Sequence, residues 1–144
     1  MRTYETIVLH CSATPPTMLI GVDTINRWHI ERGWAMCGYH FVVKRDGTVE
    51  RGRPVWRAGA HARGHNQNTI GVCMIGGVDY DGKPEKNFEM AQYKAVRNLV
   101  AQLRAVFGNM NVIGHRDLPN VAKACPSFCV QNHFTEKWCR GENT

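Results

Sequence analysis

Residues Thr69-Ile70-Gly71-Val72-Cys73-Met74-Ile75 form a continuous apolar run that Gly76 and Gly77 close. A run of this length bounded by glycine is typical of a buried strand. A second run of the same kind, Thr6-Ile7-Val8-Leu9, lies near the start of the sequence. Strands that are apolar along their whole length are usually covered on both faces. The two runs therefore predict a central sheet that lies between layers of helix.

Two helices are predicted, one on either side of the run from Thr69 to Ile75. The first spans Asp23 to Arg32, where Asp23 or Thr24 can cap the start and Gly33 ends the helix. The second runs from a cap at Asn87 to Phe107 and is ended by Gly108. Its apolar residues share one stripe: Met90, Tyr93, Val96, Leu99 or Val100, Leu103 and Phe107.

The remaining segments complete a mixed sheet. Tyr39 to Lys44 and Thr48 to Arg51 flank Asp46-Gly47, a pair that suits a hairpin turn. Asn111 to Gly114 predicts a last strand, and Val130 to Trp138 predicts a short terminal helix. The fold class that follows is α/β, with a central mixed β-sheet flanked by helices in a single domain over residues 1–144.

Composition limits the classes of partner and compartment. The chain of 144 residues carries a formal charge of +6, which favours an anionic partner, either nucleic acid or the cell envelope. No recognised nucleic-acid motif accompanies that charge, yet composition alone leaves the two partners nearly even. The motifs described below argue against nucleic acid. There is neither a secretory signal nor an apolar run near the roughly 20 residues of a membrane span. We therefore expect no membrane insertion, a cytoplasmic chain and reduced cysteines.

Three residues could form an open metal site. His10 and His115 each follow a predicted strand, and Cys125 lies in a loop ten residues after His115. Strands that end at the same edge of a sheet bring distant residues together, and three protein ligands leave a fourth zinc position open. On spacing alone, a histidine at a strand end is more often an ordinary hydrogen-bonded polar residue than a metal ligand.

Four ordered motifs carry a resemblance to a known family. They are His10-Cys11-Ser12-Ala13-Thr14, Gly38-Tyr39-His40-Phe41, Asn68-Thr69-Ile70-Gly71-Val72 and Lys123-Ala124-Cys125-Pro126-Ser127-Phe128. Together they resemble the zinc amidases typified by the lysozyme of T-odd coliphages, which are related to peptidoglycan recognition proteins. The resemblance covers the chain from about Thr6 to Phe128.

The resemblance implies an N-acetylmuramoyl-L-alanine amidase, which cuts peptidoglycan between N-acetylmuramic acid and L-alanine. It implies one zinc ion per chain, held by His10, His115 and Cys125 in a cleft at one edge of the sheet. Tyr39 and Lys123 match the family's catalytic residues, and both side chains suit stabilisation of an oxyanion. The motif places the metal on Cys125 rather than on Cys129.

Other polar residues have more than one possible role. His61 and Asn68 lie in a Gly-, His- and Asn-rich loop and could line a groove for sugar and peptide, or only satisfy loop backbone. His29, next to Trp28 on a helix, is expected to be structural. His40 alternates away from Tyr39 along its strand and is expected to pack or to support the site.

Two other functions compete with hydrolysis. Some peptidoglycan recognition proteins bind without cutting, although Cys125 argues against that alternative. The other competing function is that of a polymerase-binding regulator. The short segment before His10 and the lengthened segment between His115 and Lys123 put it in doubt. We expect a monomeric endolysin that stays in the host cytoplasm until the membrane opens and then acts on the cell wall.

Overall fold

The computed structural model describes residues 2–119, 121 and 123–130. Its core is one five-stranded mixed sheet, ordered β3-β2-β4-β1-β5. The strands are β1 (Thr6–Cys11), β2 (Phe41–Val43), β3 (Val49–Arg51), β4 (Thr69–Met74) and β5 (Asn111–Gly114). β4 pairs in parallel with β1 and β2, β5 pairs in parallel with β1, and only β3 is antiparallel. The predicted mixed sheet is confirmed.

The two apolar runs are covered on both faces, as predicted. Every residue of β4 is buried, and its side chains alternate between two hydrophobic clusters. Helix α2 (Met90–Phe107) packs on one face through residues such as Val96, whereas helix α1 (Val22–Glu31) packs on the other through Ile25. The described chain is a single α/β domain with two helices. Within it, no helix is long and apolar enough to cross a bilayer.

The start of α2 differs from the prediction. The helix begins at Met90, and its N-cap is Glu89, which forms a reciprocal capping box with Gln92. Asn87 instead bridges a preceding turn, because its amide accepts from the Gly77 N–H at 2.9 Å and donates to the Val78 carbonyl at 2.7 Å. An Asn side chain can satisfy a turn as well as a helix end, so sequence alone does not separate the two.

Other boundaries shift by smaller amounts. α1 begins at Val22, whose N–H is capped at 2.9 Å by the distant carboxylate of Glu50 rather than by Asp23 or Thr24. β2 begins at Phe41, so Tyr39 lies just before the strand. The predicted terminal helix lies outside the described residues, except for Val130.

The sheet topology positions the polar residues. Because β1 and β5 are parallel neighbours, their carboxyl ends lie at the same edge of the sheet. His10 is the penultimate residue of β1, and His115 opens a single 3₁₀ turn directly after β5.

Candidate metal centre and substrate cleft

Three potential metal ligands meet at this edge of the sheet. One ligand atom from each of His10, His115 and Cys125 lies within 4.8 Å of the other two. His10 is buried, whereas His115 and Cys125 are half-buried and face a cleft of about 480 Å³. The structure therefore brings together the three residues that the sequence analysis selected.

The loop that carries Cys125 is tied to the sheet at several points. The Cys125 carbonyl accepts from the Arg116 N–H at 2.8 Å, and the Ser127 hydroxyl donates to the Gly77 carbonyl at 2.8 Å. The Cys125 sulfur itself accepts from the backbone N–H of Cys11 at 3.1 Å. These contacts fix the sulfur beside β1, next to the His10 ring.

The three donors fit a zinc ion. Two imidazole nitrogens and a thiolate are ligands that zinc favours, and magnesium and calcium prefer oxygen. Ligand atoms on one tetrahedral zinc lie about 3.5 Å apart, given bonds of about 2.0 to 2.3 Å. The observed 4.8 Å limit is compatible with that arrangement after side-chain shifts of roughly 1 Å. The open cleft above the donors leaves room for a fourth ligand.

Tyr39 and Lys123 complete the cleft. The Tyr39 ring is half-buried, and its centroid lies 5.0 Å from that of His10. Lys123 is exposed and lines the same cleft as Cys125. A second groove of about 790 Å³ continues from the cleft between residues 60–66 on one side and His115, Pro119, Val121 and Lys123 on the other.

Comparison with known proteins identifies the family. The family model described as N-acetylmuramoyl-L-alanine amidase matches residues 1–128. The chain belongs to this amidase family. The predicted resemblance is thereby confirmed.

Relatives of the amidase include phage endolysins and recognition proteins. It is 48% identical over 126 residues to the endolysin of Enterobacteria phage T3, covering 88% of this chain and 82% of that protein. Identity to the endolysin of Escherichia phage T7 is 47% over 124 residues, covering 86% and 81%. A peptidoglycan-recognition protein of Drosophila melanogaster is 27% identical over 137 residues, covering 92% and 72%.

A solved structure shows the same fold. The N-acetylmuramoyl-L-alanine amidase LysC from Clostridium intestinale superposes with a TM-score of 0.78 and 25% identity. The match covers 97% of this chain and 85% of that one.

Burial keeps both candidate histidine ligands of the amidase neutral. It lowers the pKa of His10 well below 6.5, and nearby His61, His115 and Lys123 lower it further. The pKa of His115 is lowered by burial, then by Lys123 and His65. Neutral imidazole is the form that binds a metal, so both residues are in the required state at neutral pH.

Two thiols near the centre titrate as a pair. A hydrogen bond between Cys11 and Cys125 lowers the pKa of Cys11 to about 7, while the same bond and burial raise the pKa of Cys125. The first proton leaves more easily than from a free thiol, because the remaining S–H stabilises the thiolate. The described cysteines are all free thiols.

The structure separates the two residues predicted to bind substrate. His61 lies in the cleft, 8% exposed, with a ring nitrogen 2.9 Å from His10. Asn68 immediately precedes β4 at the opposite edge of the sheet, and its amide donates to the Glu5 carboxylate at 2.6 Å. Asn68 is therefore not brought to the cleft.

His29 is a cleft residue that sequence reasoning treated as structural. Its Nδ1 accepts from the Gly38 N–H at 2.8 Å, while its ring lies 4.4 Å from Trp34 and lines the cleft. His29 is part of the cleft because the segment after α1 brings Trp34 and Gly38 beside its ring. The spacing of polar and apolar residues within α1 does not predict the path of that segment. His40 is fully buried, and its Nδ1 accepts from the Gly71 N–H at 3.0 Å.

Proposed function

We propose that the chain is a zinc-dependent peptidoglycan hydrolase that cleaves the amide between N-acetylmuramic acid and the L-alanine of the stem peptide. One zinc ion would be held by His10, His115 and Cys125. The observation that carries the proposal is the convergence of these donors at the base of an open cleft in a chain of the amidase family.

The donor set supports hydrolytic metal chemistry. A zinc ion bound there would lower the pKa of a water molecule and polarise the amide carbonyl. The neutral rings of His10 and His115 supply lone pairs, and the Cys11 N–H stabilises negative charge on the Cys125 sulfur. This complete set also disfavours the alternative of a binding module that does not cut.

Tyr39 and Lys123 are proposed as the catalytic side chains. Burial raises the pKa of the Tyr39 hydroxyl well above 10, and the neighbouring thiols Cys73 and Cys125 raise it further. Tyr39 therefore keeps its proton and acts as a hydrogen-bond donor. Lys123 brings a cation to the same cleft. Both groups suit the oxyanion that forms when the amide carbonyl is attacked.

The charge of the cleft supports an anionic substrate. Arg32, Arg63 and Lys123 are among the described residues that line the cleft and the adjoining groove. No Asp or Glu is found among those described lining residues. Stem peptides of peptidoglycan carry free carboxylates, so this lining is complementary to them. The endolysin relatives extend the proposal to a protein that acts on the wall of its host cell after release from the cytoplasm. A monomeric state remains a prediction, and polymerase binding remains an untested alternative.

The test combines metal content with the release of new amino termini from purified cell walls. We expect one zinc per chain, wall cleavage that a chelator abolishes, and recovery when zinc is restored. Cys125→Ser should lose both zinc and cleavage, while the matched variant Cys129→Ser should keep both. Full cleavage by a zinc-free protein, or the reverse pattern in the two serine variants, would contradict the proposal.

A further inference from the structure

We propose that His61 is a positioning residue which, together with Thr69, determines the ring nitrogen that His10 presents to the metal. This inference rests on the proposed zinc site. It assigns His61 a role other than the substrate contact predicted from the sequence.

A chain of three hydrogen bonds carries the inference. His10 Nε2 lies 2.9 Å from His61 Nδ1, and His61 Nε2 lies 3.1 Å from the Thr69 hydroxyl oxygen. The Thr69 hydroxyl in turn donates to the carbonyl oxygen of His65 at 2.6 Å. These hydrogen bonds connect His10, a candidate metal ligand, to the carbonyl of His65, which can only accept a hydrogen bond.

The direction of each hydrogen bond in the series follows from its last acceptor, the His65 carbonyl. A hydroxyl has one proton, and Thr69 uses it toward the His65 carbonyl. The Thr69 oxygen must therefore accept from a proton on His61 Nε2. A neutral His61 then has a bare Nδ1, which accepts from a proton on His10 Nε2. His10 is left with its lone pair on Nδ1, the nitrogen available to a metal.

The surroundings of His61 keep its ring neutral and in place. The side chain is 8% exposed, and the guanidinium of Arg2 donates at 2.9 Å to the carbonyl of Thr69, the residue whose hydroxyl contacts the ring. A buried imidazolium beside this cation would be costly. Both backbone N–H groups of His61 and Ala62 donate to the Asn66 side chain at 3.0 Å.

β4 also makes room for this ring. A Cβ atom on Gly71 would lie 2.5 Å from the His61 ring, closer than side chains can approach. The absence of a side chain at position 71 thus creates the slot that His61 fills. Both ring nitrogens are used within the protein, so no polar ring atom remains for the substrate.

The consequence concerns metal affinity. A neutral imidazole can carry its proton on either nitrogen, and the wrong tautomer removes the lone pair that faces the metal. Partners that orient a metal-binding histidine typically contribute 10- to 100-fold to metal affinity, as an order of magnitude. We expect the His61–Thr69 pair to contribute in this range.

The first experiment reads the tautomers directly. Long-range proton–nitrogen NMR spectra of the full chain, before and after zinc addition, report which imidazole nitrogens carry protons. We expect protons on Nε2 of both His10 and His61 in both states, with zinc on Nδ1 of His10. A proton on Nδ1 of His10 in the zinc-free protein, or zinc on its Nε2, would overturn the proposal.

The second experiment measures the zinc dissociation constant by chelator competition. His61→Ala and Thr69→Val should weaken zinc binding by about 10- to 100-fold and about 10-fold respectively. His61→Asn should retain most of the affinity, because its amide oxygen can occupy the position of the imidazole Nδ1. Thr6→Val is the control, since Thr6 is the register partner of Thr69 on β1.

The outcomes also separate this inference from the proposed function. Unchanged zinc affinity in folded His61→Ala and Thr69→Val, with weaker wall binding, would show a substrate contact and overturn the positioning role. If wild-type protein bound no zinc at all, the proposed function itself would fail. Melting temperatures of each variant establish that the proteins compared are folded.

Discussion

Tyr39 and Lys123 reach the cleft as two chemically different donors, a neutral hydroxyl and a cation. If they stabilise the oxyanion, Tyr39→Phe and Lys123→Ala should each lower kcat by about 10²–10³ while zinc content and melting temperature stay near wild type. Wall binding should change less than turnover, because these contacts strengthen in the transition state. Cleavage of a defined muropeptide, with metal analysis on the same samples, measures the effect.

Matched variants control for the chemistry of each substitution. Lys94→Ala removes an exposed lysine on α2, so cleavage should be unchanged. Tyr4→Phe removes a hydroxyl that donates to the Val55 carbonyl at 3.0 Å, so it should lower stability without lowering turnover. Near-normal kcat in Tyr39→Phe or Lys123→Ala would remove that residue from the mechanism.

Single residues also show how much of the candidate site could be predicted from the sequence. His10 and His115 could be selected because each follows an apolar strand, and parallel strands end at a common edge. His61 and Asn68 looked equivalent within one polar loop, yet the His61 ring lies over Gly71 and reaches His10, whereas the Asn68 side chain turns away to Glu5. Nothing local encodes that difference, since it depends on how residues 59–68 fold back over Gly71.

At the scale of elements, α2 is joined to the sheet by one buried amide. Gln92 is fully buried, and its side-chain nitrogen donates to the carbonyls of Val43 at 3.2 Å and Ile75 at 2.9 Å. Its oxygen accepts from the Glu89 N–H at 2.9 Å. The apolar stripe predicted that α2 packs on the sheet. The same periodicity predicts that a polar residue such as Gln92 is exposed to solvent, which is not what the structure shows. The carbonyls of Val43 and Ile75, which explain Gln92, come within reach of one side chain only in the folded sheet.

Loss of the hydrogen bonds that Gln92 makes should destabilise the fold. Gln92→Ala removes three hydrogen bonds, each with a net contribution of about 0.5–1.5 kcal/mol. The Val43 carbonyl keeps the Ile75 N–H as a donor, and the Ile75 carbonyl keeps Arg45. We expect a loss of about 2–4 kcal/mol in the free energy of unfolding, measured by urea titration. Gln102→Ala, the same change at an exposed position of α2, should stay within about 0.5 kcal/mol. Equal effects of the two variants would contradict this role.

At the scale of the whole molecule, one region concentrates the buried polar groups. Histidines from a strand, a helix and two loops meet on the α1 face of the sheet, where positive side chains surround them. The formal charge of +6 indicated an anionic partner but not where the positive field would act. The fold supplies that location, because it directs Arg32, Arg63 and Lys123 toward the cleft and its groove.

The same cluster should make the fold sensitive to acid. Burial lowers the pKa of His40 and of His29 from 6.5 to about 4, so both are neutral in the folded protein. Between pH 6.5 and about 4 the unfolded chain binds protons that the folded chain does not. The stabilisation is therefore complete above pH 6.5 and is lost as pH falls toward 4, by up to about 1.4 kcal/mol per pH unit for each histidine.

His40→Asn isolates one part of this effect, because the Asn oxygen can still accept the Gly71 N–H that His40 Nδ1 accepts. The variant should be less stable than wild type at pH 7, since it loses the contact between His40 Nε2 and the Arg57 carbonyl, 2.8 Å apart. Its stability should nevertheless fall less steeply between pH 6.5 and 4, so the two curves approach each other in acid. Urea unfolding at half-unit pH intervals measures both slopes. Parallel curves over this range would show that His40 is not neutral in the folded protein.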